Sequence, residues 1–531
     1  MRQWMVAAKK ADFYAIAEKF HVDPVVARII RNREVIGEKN IRIYLGGNLS
    51  DLSDPHQMKD MDRLVEILAQ KIRKQVHIRI IGDYDVDGVT SSHLFLTALR
   101  RVGAKVDVVI PHRIQDGYGL SLHLLQQAKE DGVDTILTCD NGIAAIDEIA
   151  WAKAQKMTVL VTDHHAVPFE EHEGRRTEKK SLADAVVNPH QQDCGYPYKE
   201  LCGAGVAWNV IRVLYENYDM DKREAEDLLD FVAMATVCDV MSLTGENRIL
   251  VKEGLKRKKK KKNIGLQALM QACNVQPENI SAYHFGYVLG PCVNATGRLD
   301  TARHALRLFE TGQETEAEEI ARDLVDLNQE RKELTLQGVE MAKKLCEEGG
   351  YENDPILVLF LPDVHESIAG LIAGRIREMY NRPVFVLTRG EEGVKGSGRS
   401  TENYSMYENM CGCAELFTKF GGHPMAAGLS LPEENVEKFR RKINENCPLT
   451  VEEVCPDIHI DMAMPVGYAS TELVHQFALL EPFGKDNPSP LFADRNLSIS
   501  RMWVIGKNRN VLRMSVLSEY GQPVPVIFFG D

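Results

Sequence analysis

Three aspartates alternate with Tyr84 and Val86 in the stretch GDYDVDG, residues 82–88. On extended backbone, residues i, i+2 and i+4 share a face, so Asp83, Asp85 and Asp87 would crowd their carboxylates together. Such crowding raises each carboxyl pKa, and a divalent cation removes the repulsion. The pattern D-x-D-x-D-G also opens a calcium EF-hand loop, which requires Glu at its twelfth position. That position is Leu94 here, and a strand-like run rather than a helix precedes the motif, so the calcium reading fails. More ligand chemistry follows other apolar runs: Asp140 after 134–139, the triplet Asp163-His164-His165 after 158–162, and Asp239 after Val232 to Val237. One Asp in such a place is ordinarily a cap or turn residue. Several at successive strand ends of one parallel sheet converge, and would suit two ions about 3.5–4 Å apart that stabilise the attacking and leaving oxygens of a phosphoryl displacement. Mixed oxygen and imidazole donors suit Mn²⁺ somewhat better than Mg²⁺.

The elements that must position these groups form a regular series. Val76 to Ile81, Val106 to Ile110, Asp134 to Cys139, Thr158 to Thr162 and Ala185 to Val187 read as short β-branched strands. Helix-like stretches lie between them at Thr90 to Arg101, Leu120 to Glu130 and Ile143 to Gln155, with Gly88 turning the chain into the first. Alternation of this kind implies an α/β domain with a parallel sheet, whose chemistry sits at the carboxyl ends of the strands. Residues 314–348 are rich in Glu, Lys, Leu and Ala without proline, and Ile320, Leu324, Leu327 and Leu334 share a helical face. That reads as one helix about 50 Å long, a spacer between two domains. A second α/β unit follows, with strands Ile356 to Phe360 and Val384 to Leu387 around a helix at Ala369 to Tyr380; strand-like runs from about 456 onward read as a small β domain.

At these residues the sequence resembles the DHH phosphoesterase family, and within it the branch of single-strand-specific exonucleases. GDYDVDG, the DHH triplet at 163–165 and the Asp239 segment match the family's metal motifs. PHRIQDGYGL at 111–120, GPCVNATGR at 290–298, GSGRS at 396–400, GGH at 421–423 and LEPFGKDNPSPLF at 480–492 match further motifs in order. The resemblance implies a helical lead-in at 1–75, a DHH catalytic domain at 76–300, a connecting helix at 301–348, a DHH-associated domain at 349–450 and an OB-like domain at 456–531, complete or abbreviated. Carried over by position, the metal ligands are Asp83, Asp85, Asp87, Asp140, His164 and Asp239, with Asp83 sharing least directly. Asp163 would orient His164, and His165 would face the scissile phosphate. Arg113, Ser397 and Arg399 would hold a DNA 5′ end; Asn294, Arg298, Arg375 and His423 would line the strand's path. Cys292 departs from the pattern, standing where these nucleases commonly carry arginine. The implied activity is 5′ to 3′ hydrolysis of single-stranded DNA with two Mn²⁺ or Mg²⁺ ions, in DNA repair and recombination. A cleft between the domains would admit one strand, and Phe483, Phe492 and Trp503 are candidates for stacking on bases as well as for the core. The alternatives are a DHH phosphodiesterase for short oligonucleotides or small nucleotides, which would lack the 456–531 segment, and a non-catalytic relative, which would lack ligands.

The 531 residues carry a net charge of −13, yet an acidic total does not exclude a local basic groove. The run Lys256 to Lys262 is either a nucleic-acid patch or a solvated helix end. No secretory signal or membrane span is legible, and the eleven cysteines read as reduced thiols. The expectation is a cytoplasmic monomer whose partners are single-stranded DNA, a single-strand-binding protein and a helicase.

Overall fold

The computed structural model describes residues 4–113, 116, 119–172, 175–257, 263–299, 301–351, 353–390, 393–447, 449–454, 458–506 and 509–530. Residues 258–262 of the basic run, and 114, 115, 117 and 118 of the 111–120 segment, lie outside them. The chain divides into two units: a larger one made chiefly of Val6–Gly297, Thr301–Arg322 and His459–Asp531, and a smaller one made chiefly of Asp323–Ile458.

The larger unit is built on a five-stranded sheet. Its strands are β1 (Ile78–Ile81), β2 (Val106–Val109), β3 (Thr135–Cys139), β4 (Thr158–Thr162) and β5 (Ala185–Val187). All neighbours are parallel, in the order β2-β1-β3-β4-β5. β1 and β3 are buried along their whole length, as expected of a parallel sheet covered by helices on both faces. The one charged residue of β1, Arg79, is tolerated because its guanidinium pairs bidentately with Asp107 on β2, at 3.0 and 2.7 Å. The helices include α1 (Val86–Arg101), α2 (Leu122–Glu130), α3 (Ile146–Ala154), α4 (Gly203–Asn217) and α5 (Leu229–Cys238). The order reverses between β1 and β3, and such a switch point opens the crevice where doubly wound sheets bind ligands.

Two expectations are corrected. The apolar run Val232 to Val237 lies within helix α5, not at a strand end, and Asp239 is that helix's C-cap. All of the run except Val237 is buried, so its apolar character carries no strand period. Helix α1 begins at Val86, four residues earlier than its apolar pattern suggested, because Asp85 caps it by accepting from the Gly88 amide at 3.0 Å.

The N-terminal helical segment and the chain after His459 share one core. Val26, Ile30 and Tyr44 pack with Met464, Leu473 and Leu480, and the half-buried Phe483 and Phe492 join them. Two of the three aromatic residues considered for base stacking are therefore core; only Trp503 is exposed, at 46%. A buried pair, Arg33 to Asp461 at 2.7 and 3.0 Å, closes this joint. Beyond it, β11 (Ser498–Ile505), β12 (Val511–Leu517) and β13 (Pro523–Phe529) form an antiparallel meander of three strands.

Helix α6 (Glu314–Glu348) is continuous over 35 residues, as its composition predicts. The smaller unit carries β6 (Leu357–Phe360), α7 (Glu366–Tyr380), β7 (Val384–Gly390), β8 (Gly393–Arg399), β9 (Lys419–His423) and β10 (Ala426–Leu431). Its sheet order is β9-β10-β8-β7-β6, with only β6 and β7 parallel. No helix among the described residues is long and apolar enough to cross a membrane.

Candidate metal centre

The aspartate loop leaves β1 at the switch point and runs directly into α1. Gly88 is required there because a Cβ would lie 2.4 Å from the Asp83 carbonyl oxygen; the helix's first turn rests on the loop backbone. A second clasp comes from GPCVNATGR. Asn294 Oδ1 accepts the Val86 amide at 3.1 Å, and a Cβ on Gly297 would stand 2.5 Å from the Tyr84 carbonyl oxygen. Asn294 thus holds the loop that carries the aspartates.

Asp87 points to the start of α4. Its two oxygens accept the Gly203 and Ala204 amides at 2.6 and 2.7 Å, so the positive end of a helix offsets its charge. Gly203 must lack a Cβ, which would meet the Asp140 Cβ at 2.7 Å. The sequence reading missed this helix start; the signal available was the small-residue run Gly203-Ala204-Gly205 after Cys202.

Asp140 follows β3 in the left-handed region, φ 62°, which Asp visits more easily than most residues. Asn141 beside it ties the ends of β3 and β1 by donating to the Cys139 and Ile81 carbonyls at 2.9 and 3.1 Å. After β4, Asp163 Oδ1 accepts the amides of His164 and His165 and lies 2.8 Å from His165 Nδ1. Its other oxygen accepts the Ile143 amide at 2.8 Å. Asp163 thus accepts from the His165 ring, whereas it holds His164 through that residue's backbone amide rather than through its imidazole.

These groups converge. His164 Nε2 lies 3.1 Å from Asp140, 3.6 Å from Asp239 and 3.7 Å from Asp87. Three sets have ligand atoms within 4.8 Å of one another: Asp83, Asp85 and Asp140; Asp87, His164 and Asp239; and Asp140, His164 and His165. Asp83 Oδ1 and His164 Nε2 are buried and make no hydrogen bond among the described residues. Burial first, and then neighbouring carboxylates, push the carboxyls of Asp83, Asp85, Asp140 and Asp239 above their ordinary range. Burial pulls His164 down, keeping the neutral imidazole a ligand needs. Burial would also lower His165, but the Asp163 bond and nearby carboxylates outweigh it and push it up to about 9. Buried carboxylates that repel one another, with an orphaned oxygen and imidazole nitrogen, fit divalent cations as the missing counter-charge.

Arg113 lies over the Tyr84 ring, 4.9 Å from its centroid, beside the aspartate loop. The remaining sequence-derived candidates belong to the smaller unit, and most of them gather there. Arg399 donates to Ser397 Oγ at 3.3 Å and to the Gly398 carbonyl at 2.7 Å. Helix α7 crosses them closely because Gly370 has no Cβ, which would stand 2.8 Å from Ser397 Oγ. Arg399, Ala426 and His423 form one row across β8, β10 and β9, with His423 exposed. Arg298 donates to the Ser367 carbonyl at 2.5 Å. Arg375 stands apart, 70% exposed on α7 near Glu378. Cys292 is buried with its sulfur 3.8 Å from that of Cys273, so its side chain reaches no solvent.

Comparison with known proteins agrees with this architecture. The DHH family N-terminal domain matches residues 77–236, the DHHA1 domain 353–447 and the RecJ OB domain 460–531. The chain is similar to the single-stranded-DNA-specific exonuclease RecJ of Haemophilus influenzae, 33% identical over 94% of this chain and 88% of the relative. It is 32% identical to the RecJ of Escherichia coli over 91% of this chain and 85% of that one. It is also 32% identical to that of Bacillus subtilis, of whose length it spans 63%. Among solved structures, RecJ of Thermus thermophilus in complex with Mn²⁺ matches with a TM-score of 0.81 at 26% identity, over 100% of this chain and 79% of that one. The same protein in complex with Mg²⁺ matches with a TM-score of 0.76. With its aspartate loop, DHH triplet and associated domains in this arrangement, the chain belongs to the RecJ family of DHH proteins.

Proposed function

We propose that this protein is a metal-dependent exonuclease that degrades single-stranded DNA from the 5′ end and releases mononucleotides. The observation that carries the reading is the convergence of Asp83, Asp85, Asp87, Asp140, His164 and Asp239 at the switch point of the parallel sheet. These six residues would hold two Mn²⁺ or Mg²⁺ ions, which when bound supply counter-charge for the attacking and leaving oxygens at phosphorus. His165, steadied by Asp163, faces the scissile phosphate and gives a hydrogen bond to one of its oxygens. Arg399 and Ser397, in contact with each other, bind the 5′-terminal phosphate, and Arg113 serves the same end of the strand. Arg298, Arg375 and His423 meet later parts of the strand, while Asn294 serves the site by fixing the aspartate loop.

The domain division follows: a lead-in at 1–75, catalysis at 76–300, a connector at 301–348, the second lobe at 349–450 and strand binding at 456–531. The enzyme acts as a cytoplasmic monomer in repair and recombination, on strands exposed by a helicase and covered by a single-strand-binding protein.

The test is a time course with Mn²⁺ on 5′- and 3′-labelled strands, duplex and RNA. Mononucleotides should appear at once from the 5′ label, and duplex should resist. Asp140→Ala should remove at least about 1,000-fold of the rate while the strand still binds. Release from the 3′ label first, or undiminished cutting by Asp140→Ala, would overturn the assignment.

A further inference from the structure

A groove of about 820 Å³ in the larger unit opens beside the metal centre, lined by Val240, Lys252, Lys256, Tyr283, Tyr287 and Lys485 among others. None of these residues belongs to the site described above. Tyr283 and Tyr287 are 62% and 74% exposed, yet their rings stack on each other, with centroids 5.2 Å apart and planes 26° from parallel. They stand on a helical stretch interrupted by a π-turn at Phe285–Leu289, a local distortion that recurs at functional sites. This stretch is fitted tightly to the end of α5. A Cβ on Gly290 would lie 2.4 Å from the Cys238 sulfur, one residue before Asp239, and a Cβ on Gly286 would meet Val237 at 3.2 Å. The tyrosine pair is thereby set at a fixed offset from a metal ligand. Val240, the residue after Asp239, is 63% exposed and held at φ 55°. For a β-branched side chain that backbone is strained, and such strain is retained where the surroundings demand it.

The groove has three ammonium groups and one carboxylate in its lining, Glu481, and Lys256 also donates to Glu253 at 2.6 Å. Lys256 and Lys485 are exposed, Lys485 close enough for its charge to act on Asp239. Lys252 is half-buried and donates to the Leu45 carbonyl at 2.9 Å; burial pulls its pKa to about 8. A flat aromatic surface, exposed and already stacked, in one groove with cations suits a ligand that alternates planar rings with anions. A single nucleic-acid strand has that composition, whereas an apolar peptide would leave the lysines without use.

We propose that the groove is a base-stacking track for the substrate strand. A nucleobase lies against the Tyr283–Tyr287 pair, and the flanking phosphates meet Lys256 and Lys485 a short distance from Asp239. The inference rests on the nuclease reading, since it names where that substrate touches the protein outside the metal centre.

The test compares Tyr283→Ala/Tyr287→Ala with Tyr283→Phe/Tyr287→Phe, which keeps the aromatic faces. Cutting of a 5′-phosphorylated oligothymidylate and of a matched strand with abasic nucleotides is followed with Mn²⁺. For the base-bearing strand the alanine pair should raise KM about tenfold or more, as loss of one stacked base predicts. The phenylalanine pair should stay within about twofold of wild type, and KM for the abasic strand should not rise further in the alanine pair. Ultraviolet crosslinking of a 5-iodouracil strand to the unmodified protein should mark residue 283 or 287, a readout independent of how the variants fold. An unchanged KM in the alanine pair, equal damage in both pairs, equal damage on the abasic strand, or adducts only elsewhere would each overturn the track. If the unmodified protein cuts single strands and the variants cut them equally, the track alone fails. If the unmodified protein neither binds nor cuts them, the nuclease reading fails as well.

Discussion

Asp87 and His93 sit less than two helical turns apart on α1 and show opposite fates for a buried polar side chain. Asp87 is matched by two helix-start amides and stands beside His164 and Asp239, with which it could hold a metal ion. His93 is packed against Phe231 and Phe309, with ring centroids 4.5 and 5.8 Å away, and its Nδ1 has no hydrogen-bond partner among the described residues. Burial, with a smaller contribution from Arg100, lowers its pKa from 6.5 to about 3. The unfolded chain takes up a proton below about 6.5 that the folded one refuses, so the stabilising contribution of neutral His93 holds above that pH. It is lost as pH falls toward 3, by up to about 1.4 kcal/mol per unit. His93→Leu should therefore flatten the fall of Tm between pH 6.5 and 4.5 in thermal scans; parallel curves for the two proteins would refute the account.

The next scale is that of helix starts and the segments clasped to them. Asp85 caps α1, the amides at the start of α4 hold Asp87, and Asn294 holds the Val86 amide. Removing the Asn294 acceptor leaves a backbone N–H unsatisfied, a loss of about 1–3 kcal/mol, and frees the loop bearing three of the proposed ligands. Asn294→Ala should weaken Mn²⁺ binding by about 10–100-fold, as loss of a ligand's outer support does. Asn294→Asp, which keeps an acceptor, should recover part of it. Calorimetric titration reads both, and wild-type affinity in the alanine variant would remove Asn294 from the supporting shell.

At the scale of the larger unit, Arg248 is the staple. It is 1% exposed, lies 3.9 Å from the centre of the Tyr44 ring, and donates to the carbonyls of Tyr44, Leu480 and Leu479 at 2.8, 2.9 and 2.8 Å. One side chain of the helix Gly245–Lys256 thus joins the N-terminal helices to the segment before the C-terminal sheet. Arg248→Ala should cost about 3 kcal/mol or more, since buried carbonyls lose charge-assisted partners and a cavity opens. Lysine should not restore it, because an ammonium cannot reproduce the planar fork. Urea midpoints measure the loss, and faster proteolysis near 478–480 should accompany it; a variant as stable as wild type would show the staple to be dispensable.

The five strands of the larger sheet and the long helix are legible in the order of residues, and so are the acidic and histidine side chains that the fold brings together. β1, β3 and β4 announce themselves by β-branched apolar runs, and Asp140 and His164 by following such runs directly. These features are local: periodicity and side-chain chemistry are written residue by residue. Folding settles what those local signals leave open. The 232–237 run is helical, since a run buried in all but Val237 carries no period. Asp87 meets the start of α4, Asn294 clasps the aspartate loop, and residues between Phe13 and Leu45 share a core with Met464 and Leu480. Those contacts use backbone amides and carbonyls, which every residue type carries, or join segments separated by more than a hundred residues of chain. The stacking of Tyr283 on Tyr287 beside Asp239 likewise depends on a π-turn and on the missing Cβ of Gly290, and only the folded chain brings the two together.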